Sequence, residues 1–176
     1  MRQDNHPHRT TLMRFYNAFA HLDPATMAQC YAPEVQFRDA VFQLEGRDQV
    51  MAMWFMLCES LHEDGWVDWK LNYRVEAVDA QTARLHWSAR YHFGKARRRV
   101  YNRIDARFRF NEAGLITYHH DSFDFWLWSR QALGLPGVLL GWSPLLRRRV
   151  RARARARLDR YITGLQTTRP AASDKQ

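Results

Sequence analysis

Residues 35–42 of the chain read VQFRDAVF. Val35, Phe37, Asp39 and Val41 alternate with their neighbours, and this period of two predicts a β-strand with one apolar face. That face should lie toward the core, so we expect Asp39 to point inward with its hydrophobic neighbours. An isolated buried carboxylate is costly, and it responds with a raised pKa or with a partner. Asp39 is therefore either a structural acid with satisfied hydrogen bonds or a functional acid.

The sequence on both sides of this strand predicts an α+β fold. Apolar residues at helical spacing indicate a helix over 9–22, and Asp23-Pro24 is a typical start for a second, short helix over about 24–31. The segment EGRDQVMAMWFMLCESL, at 45–61, predicts a buried third helix because it is apolar almost all round. Alternating segments then predict four antiparallel strands, within 67–75, 84–93, 100–110 and 116–125. Helices segregated from a curved sheet define the α+β class.

Composition indicates one well-filled domain. The chain has 176 residues, of which 46% are hydrophobic, and a chain of that length ordinarily forms a single core. Its first eleven residues are polar and are typical of a protein without a secretory signal. Cys30 and Cys58 lie in apolar helical surroundings with no metal-ligand spacing, so we expect two reduced core thiols. These features favour a cytoplasmic protein, and we expect no metal or nucleotide cofactor.

The positive charge is concentrated in the C-terminal segment. Of the formal net charge of +9, residues 144–176 contribute +8, so the body of the chain is almost neutral. The uncharged stretch before the first of these arginines, residues 131–146, is shorter than the ~20 residues that span a bilayer and is interrupted by glycine and proline. We therefore reject a transmembrane helix.

The arginine-rich run itself predicts a helix with an apolar side. That side is formed by Leu146, Val150, Ala154, Leu158 and Tyr161. We favour packing of this side on the chain's own domain or on a dimer mate. The alternative is peripheral attachment of residues 144–163 to an anionic inner membrane surface. Nucleic acid is the least favoured partner, because no recognised nucleic-acid module accompanies the charge.

Three motifs resemble the nuclear transport factor 2-like superfamily: FYNAF…D…CYAPEVQFRD, then GRDQV, and FNEAGLITYHHDSFD. The superfamily includes ketosteroid isomerases, SnoaL-type polyketide cyclases and limonene epoxide hydrolases. The resemblance implies a cone, in which a curved antiparallel or mixed sheet wraps around three N-terminal helices. We assign residues 1–8 to a flexible N-terminus, 9–128 to the cone, 129–163 to a C-terminal apolar segment with an Arg-rich helix and 164–176 to a disordered tail.

The resemblance to ketosteroid isomerases is partial at the site. Asp39 falls where those enzymes place their general base. Phe15 falls at the position of their oxyanion-hole tyrosine, with Tyr16 as its neighbour. Ala106 falls at the position of their protonated acid, and Asp105 beside it faces outward. These departures weigh against steroid-type isomerisation.

The resemblance to limonene epoxide hydrolases is partial as well. Asp121 falls where those enzymes carry one acid of an Asp-Arg-Asp triad. The strand over 84–92 should supply the other two members, yet it has Arg84 and Arg90 on its polar face and no aspartate. This departure weighs against epoxide hydrolysis.

We expect the inward residues to line an apolar cavity that binds a small apolar carbonyl, hydroxyl or polyene compound. Asp39, Asp121 and His119 are the candidate catalytic residues, because two carboxylates and an imidazole in a dry cavity would separate their pKa values. The candidate ligand-binding residues are Tyr16, Phe37, Trp69, Tyr73, Trp87, Tyr91, Asn102 and Phe123. Cofactor-independent isomerisation, dehydration, cyclisation or hydration in a homodimer is the favoured hypothesis. A non-catalytic module that binds a lipid-like ligand or docks on a membrane is the alternative.

Overall fold

A computed structural model describes residues 6–63, 65 and 68–168 of the chain. Within these residues, six helices and six strands follow one another. The helices are α1 (Pro7–Ala20), α2 (Pro24–Ala28), α3 (Arg47–Glu63), α4 (Phe125–Leu133), α5 (Leu135–Leu140) and α6 (Pro144–Thr168). The strands are β1 (Tyr31–Arg38), β2 (Gln43–Glu45), β3 (Lys70–Val78), β4 (Thr82–Phe93), β5 (Arg98–Phe110) and β6 (Ile116–Ser122).

The strands form one sheet in the order β2-β1-β6-β5-β4-β3, in which β1 runs parallel to β6 and the other neighbours are antiparallel. The predicted α+β cone is confirmed, including the antiparallel run from β3 to β6. Its interior is filled by α1 and α3, whose buried residues join those of the sheet in one hydrophobic core. Cys30 and Cys58 are both free and buried in it.

The predicted strand over 35–42 is wrong beyond Arg38. The chain turns at residues 39–42, where the Asp39 N–H donates to the Phe42 carbonyl at 2.9 Å, and β2 then returns beside β1. Asp39 therefore lies in a turn and not on the inward face of a strand. The turn forms because the Asp39 side chain hydrogen-bonds the backbone of the next residues, as aspartates in turns often do.

The helical termini agree with their local sequence. His6 and Asp23 cap α1 and α2, each with proline at the first helical position, which needs no N–H partner. The second helix nevertheless ends at Ala28, earlier than predicted, since Tyr31 already belongs to β1.

The predicted domain limits differ from the helix limits at three points. Helix α1 starts at Pro7, inside the predicted flexible N-terminus, and α4 starts at Phe125, inside the predicted cone. Helix α6 continues to Thr168, so residues 164–168 of the predicted disordered tail are helical. Residues 1–5 and 169–176 lie outside the described part of the chain, as does Val67.

The apolar side of α6 packs on the cone, as one of the sequence hypotheses predicted. Leu158 is fully buried, and Tyr161 and Ile162 pack on the same core. The Tyr161 hydroxyl donates to Glu59 of α3 at 2.7 Å, and Arg157 hydrogen-bonds Ser60. Helix α6 is thus part of the folded unit and does not present its apolar side to solvent.

Candidate functional site inside the cone

A buried chain of hydrogen bonds crosses the interior of the cone. His119 is 0% exposed and Asp121 is 4% exposed. The Tyr31 hydroxyl lies 2.7 Å from His119 Nδ1, and His119 Nε2 lies 3.0 Å from Asp121 Oδ1. Trp54 Nε1 donates to the Tyr31 hydroxyl at 3.1 Å, and Trp87 Nε1 donates to Asp121 Oδ1 at 3.2 Å. The predicted inward orientation of His119 and Asp121 is therefore observed.

One tautomer of His119 is compatible with all of these hydrogen bonds. An indole nitrogen only donates, so Trp54 must donate to the Tyr31 oxygen. In the tautomer with its proton on Nε2, His119 accepts a hydrogen bond from the Tyr31 hydroxyl at Nδ1 and donates one to Asp121 from Nε2. This arrangement satisfies every hydrogen bond in the chain. Because both nitrogens of His119 are in use, this side chain is placed to orient Asp121.

Tyr16 carries a buried hydroxyl without a partner among the described residues. Its side chain is 1% exposed, and its ring stacks on Tyr73 at 5.3 Å and lies 5.9 Å from the Trp87 ring. Burial raises the pKa of Tyr16 well above its ordinary value, and the charges of Asp121 and Tyr31 raise it further. Tyr16 therefore stays protonated, with a hydroxyl that has a hydrogen bond to give.

Asp39 is half-buried in its turn. Its Oδ1 accepts hydrogen bonds from the N–H groups of Val41, at 2.7 Å, and Phe42, at 2.5 Å. Burial is the largest influence and raises the pKa of Asp39 from 3.8 to about 7, against the lowering effect of those N–H groups. Asp121 raises this pKa and Arg151 lowers it, by their charges. Asp39 consequently exchanges its proton near neutral pH.

Asp39 lies at one end of the sheet, which we call the mouth of the cone. The parallel register pairs Phe37 of β1 with His119 of β6, so the turn at Asp39 follows the strand end nearest Asp121. The end of β4 and the start of β5 lie at the same end, where Tyr91 pairs with Val100. The two carboxylates therefore lie toward the same end of the cone, with Asp121 inside the cone and Asp39 at its mouth.

Helices α4 and α6 cover the mouth. Trp128 of α4 donates its Nε1–H to the Tyr91 hydroxyl at 3.0 Å. Val150 of α6 packs in the same apolar cluster as Phe123 and Val41. Arg151 donates to the carbonyl of Ala40, beside Asp39, at 2.8 Å. Helices α4 and α6 thus form a roof, by which we mean the part of the C-terminal extension that covers Asp39 at the mouth.

The predicted ligand-binding residues fall into two groups. Phe37 and Trp87 are buried with Tyr16 in the core, and Trp69, Tyr73, Tyr91, Asn102 and Phe123 are half-buried. Tyr73 donates to Asn17 at 2.7 Å, and Trp69 donates to the carbonyl of Ala20 at 3.0 Å.

Two cavities described in the structure lie outside the cone. One, of about 370 Å³, is on the outer face of the sheet, and one, of about 280 Å³, is between α3 and α6. In the cone itself aromatic rings lie close together, such as Phe108 and His119 at 4.4 Å. The cavities described in the structure therefore do not include the apolar cavity predicted inside the cone.

Four residues of the site were missed by sequence reasoning. Tyr31 was assigned to a helix end, and an irregularity in β1 between Tyr31 and Gln36 interrupts the alternation that would have placed it inside. Trp54 was one apolar residue among many on α3. Trp128 is the last residue of the segment assigned to the cone, and Arg151 lies beyond that segment. No local sequence pattern predicts that either residue contacts the mouth.

The raised pKa of Asp39 predicts that the free energy of unfolding depends on pH. The native state holds the Asp39 proton more tightly than the unfolded state, so this group lowers the free energy of unfolding as pH rises from about 4 to about 7. Asp39→Asn keeps an acceptor for the two N–H groups and removes the charge. We expect the variant to gain stability over the wild type across this window, by up to about 1.4 kcal/mol for each pKa unit.

Urea unfolding at about pH 4 and about pH 8 measures the difference. Asp79→Asn is the matched control, because Asp79 begins an exposed turn in which its N–H donates to the Thr82 carbonyl at 2.8 Å. A gain for Asp39→Asn that does not change with pH would show that this carboxyl is not desolvated.

A profile of the SnoaL-like domain matches residues 12–119, which is more than half of the chain. The chain belongs to the SnoaL-like domain family. This family is part of the nuclear transport factor 2-like superfamily, so the resemblance noted in the sequence is confirmed. No curated protein matches the chain.

Solved structures similar to this SnoaL-like protein share its fold. A candidate polyketide cyclase from Silicibacter sp. TM1040 is 17% identical, with a TM-score of 0.57 over 71% of this chain and 94% of that chain. An LEH-like epoxide hydrolase from M. tuberculosis is 16% identical, with a TM-score of 0.55 over 76% of this chain and 96% of that chain. At such identities the likeness shows the fold alone.

Proposed function

We propose that this SnoaL-like protein binds a small apolar molecule with a carbonyl or hydroxyl group at the mouth of the cone and moves a proton on it. SnoaL-like domains often bind small molecules and catalyse cyclase, isomerase or hydrolase reactions. The observation that carries the proposal is the half-buried Asp39 at an aromatic mouth, with a pKa raised to about 7. An acid–base group works best when its pKa lies near the operating pH.

The other polar groups have complementary roles in this proposal. Asp39, with its Oδ1 held by two N–H groups, accepts a proton from the ligand or returns one to it. Tyr16 lies deeper in the cone, so its unpartnered hydroxyl donates a hydrogen bond to the oxygen of a ligand that extends inward from the mouth, where negative charge develops. His119 acts as a positioning residue for Asp121, whose charge favours the protonated forms of both Asp39 and Tyr16.

A non-catalytic binding protein is the second candidate function. It is supported by the hydrogen bonds already made by Trp69, Tyr73 and His119, which leave these side chains occupied within the protein. In that case the polar groups fix the core, and the mouth selects an apolar ligand without changing it. The homodimer and the cytoplasmic location remain predictions under either function.

The apolar bicyclic ketone 2-tetralone is a suitable probe for the proposal. In deuterated buffer we expect the protein to bind it and to accelerate deuterium uptake at the carbon next to the carbonyl, because a base at the mouth removes that proton. Ligand-observed NMR measures both events in one sample. Binding without accelerated uptake would favour the second candidate, and the absence of both would contradict the proposal for ketones.

A further inference from the structure

A patch of exposed apolar side chains lies on α5 and the start of α6. Its members are Leu135, Val138, Leu139, Leu140, Trp142 and Leu145. Leu135 is 75% exposed and Trp142 is 70% exposed. Trp126 and Leu127 of the adjoining helix α4 are exposed beside it. Single exposed apolar residues are common on protein surfaces, but so many within one short segment mark an interaction site.

The patch is held outward by close helix packing. A Cβ at Gly137 would lie 1.8 Å from the Ser129 carbonyl oxygen of α4, and one at Gly141 would lie 2.2 Å from Ser129 Oγ. Only glycine therefore fits the inner side of α5. Since the small residues face α4, the large apolar residues of α5 face solvent. The exposure follows from the tertiary packing and not from a loose segment.

Arginines flank the patch along the chain, and the patch itself contains no acidic residue. No Asp or Glu occurs between residues 125 and 158, whereas Arg130, Arg147, Arg148 and Arg149 flank the apolar residues. The Arg147 guanidinium lies 5.0 Å from the centre of the Phe125 ring, and the Arg130 guanidinium lies 5.4 Å from the centre of the Trp126 ring. The charged groups are thus held beside aromatic rings.

We propose that this patch docks on the surface of an anionic lipid bilayer. Leucine and tryptophan side chains bury in the boundary between headgroups and acyl chains, and arginines at their edge contact anionic headgroups. Among the described helices none is long and apolar enough to cross a bilayer, and α5 has six residues, so the contact is interfacial. A second copy of the chain is a poorer occupant, because a symmetric contact would bring the flanking arginines of both copies together.

The proposed surface differs from the one that the sequence suggested. The apolar side of α6 is used against α3, so residues 144–163 cannot present it to lipid. The patch also adjoins the mouth of the cone, because Trp128 on the inner side of α4 bonds Tyr91 while Trp126 on its outer side is exposed. Docking would place the mouth beside a reservoir of apolar molecules.

Flotation with vesicles of phosphatidylcholine, with and without phosphatidylglycerol, tests the proposal in the full chain. We expect binding to the anionic vesicles, and we expect the double variant Leu139→Asp/Trp142→Asp to bind them at least about tenfold more weakly. Leu165→Asp is the matched control, because Leu165 is exposed on the far end of α6 and lies outside the patch. It should bind like the wild type.

Three results would overturn the proposal. One is equal binding of the double variant and the wild type, with loss in high salt, which would show that charge alone attracts the protein to any polyanion. Another is an absence of binding to either vesicle. The third is a dimer, measured by light scattering without lipid, that the double variant converts to a monomer, which would make the patch a contact between copies.

The depth of docking is measured with an environment-sensitive dye at Leu139→Cys. The native Cys30 and Cys58 are buried, so the new thiol is the accessible one among the described residues. A blue shift of the dye on anionic vesicles is the expected result, and an unchanged spectrum would contradict insertion. Neither assay depends on the proton chemistry at Asp39, so failure of one proposal leaves the other testable.

Discussion

Replacement of His119 by alanine is expected to lower the free energy of unfolding by about 3–5 kcal/mol. The imidazole is fully buried among the rings of Phe15, Phe37 and Phe108, so its removal leaves a cavity that rigid neighbours cannot close. It also removes the bond from Nε2 to Asp121, and a buried carboxylate that loses a partner is costly. Urea unfolding at neutral pH measures the loss.

Two further variants separate the causes. His119→Phe refills the volume and leaves Asp121 and Tyr31 without their partner, so we expect a loss of intermediate size that reports the hydrogen bonds. His120→Ala is the control, because the next residue along β6 is half-buried and points to the other face. A loss below about 1 kcal/mol for both His119 variants would show that the buried chain of hydrogen bonds does not stabilise the core.

The sheet could be predicted from the sequence because its strands obey a simple period. Along β4 and β5, Leu85, Trp87, Ile104 and Phe108 alternate with polar or charged residues, and all four are buried. A single concave face covered by helices produces this pattern directly. The apolar side of α6 could be predicted from the helical spacing of its apolar residues, because one side of this helix packs on α3.

The site was only partly predictable because its members depend on departures from periodicity. Asp39 fits the alternation of β1, yet its side chain bonds the backbone ahead of it and ends the strand. The alternation therefore predicted a strand where the chain turns at Asp39, although it placed this residue at the correct end of β1. His119 and Asp121 kept the period and were placed correctly.

The roof over the mouth could not be predicted at all. By its composition alone, the uncharged segment 131–146 is equally compatible with burial in the core and with an exposed binding surface. Its course depends on the contact of Gly137 with Ser129, which is a tertiary contact between two helices. Trp128 likewise reaches Tyr91 only because α4 folds back over the ends of β4 and β5.

Proton exchange on 2-tetralone by the wild type and by Asp39→Asn tests most directly whether Asp39 is the working base. The amide of asparagine keeps the turn but cannot accept a proton, so we expect the variant to lose about 10²- to 10⁴-fold in the rate of deuterium uptake. The wild-type rate should rise with pH through about 7 and then level off, because the pKa of Asp39 is raised to about 7 and the ionised form is the base. Asp79→Asn should exchange at the wild-type rate. Equal rates for Asp39→Asn and the wild type, with the same pH profile, would contradict the account.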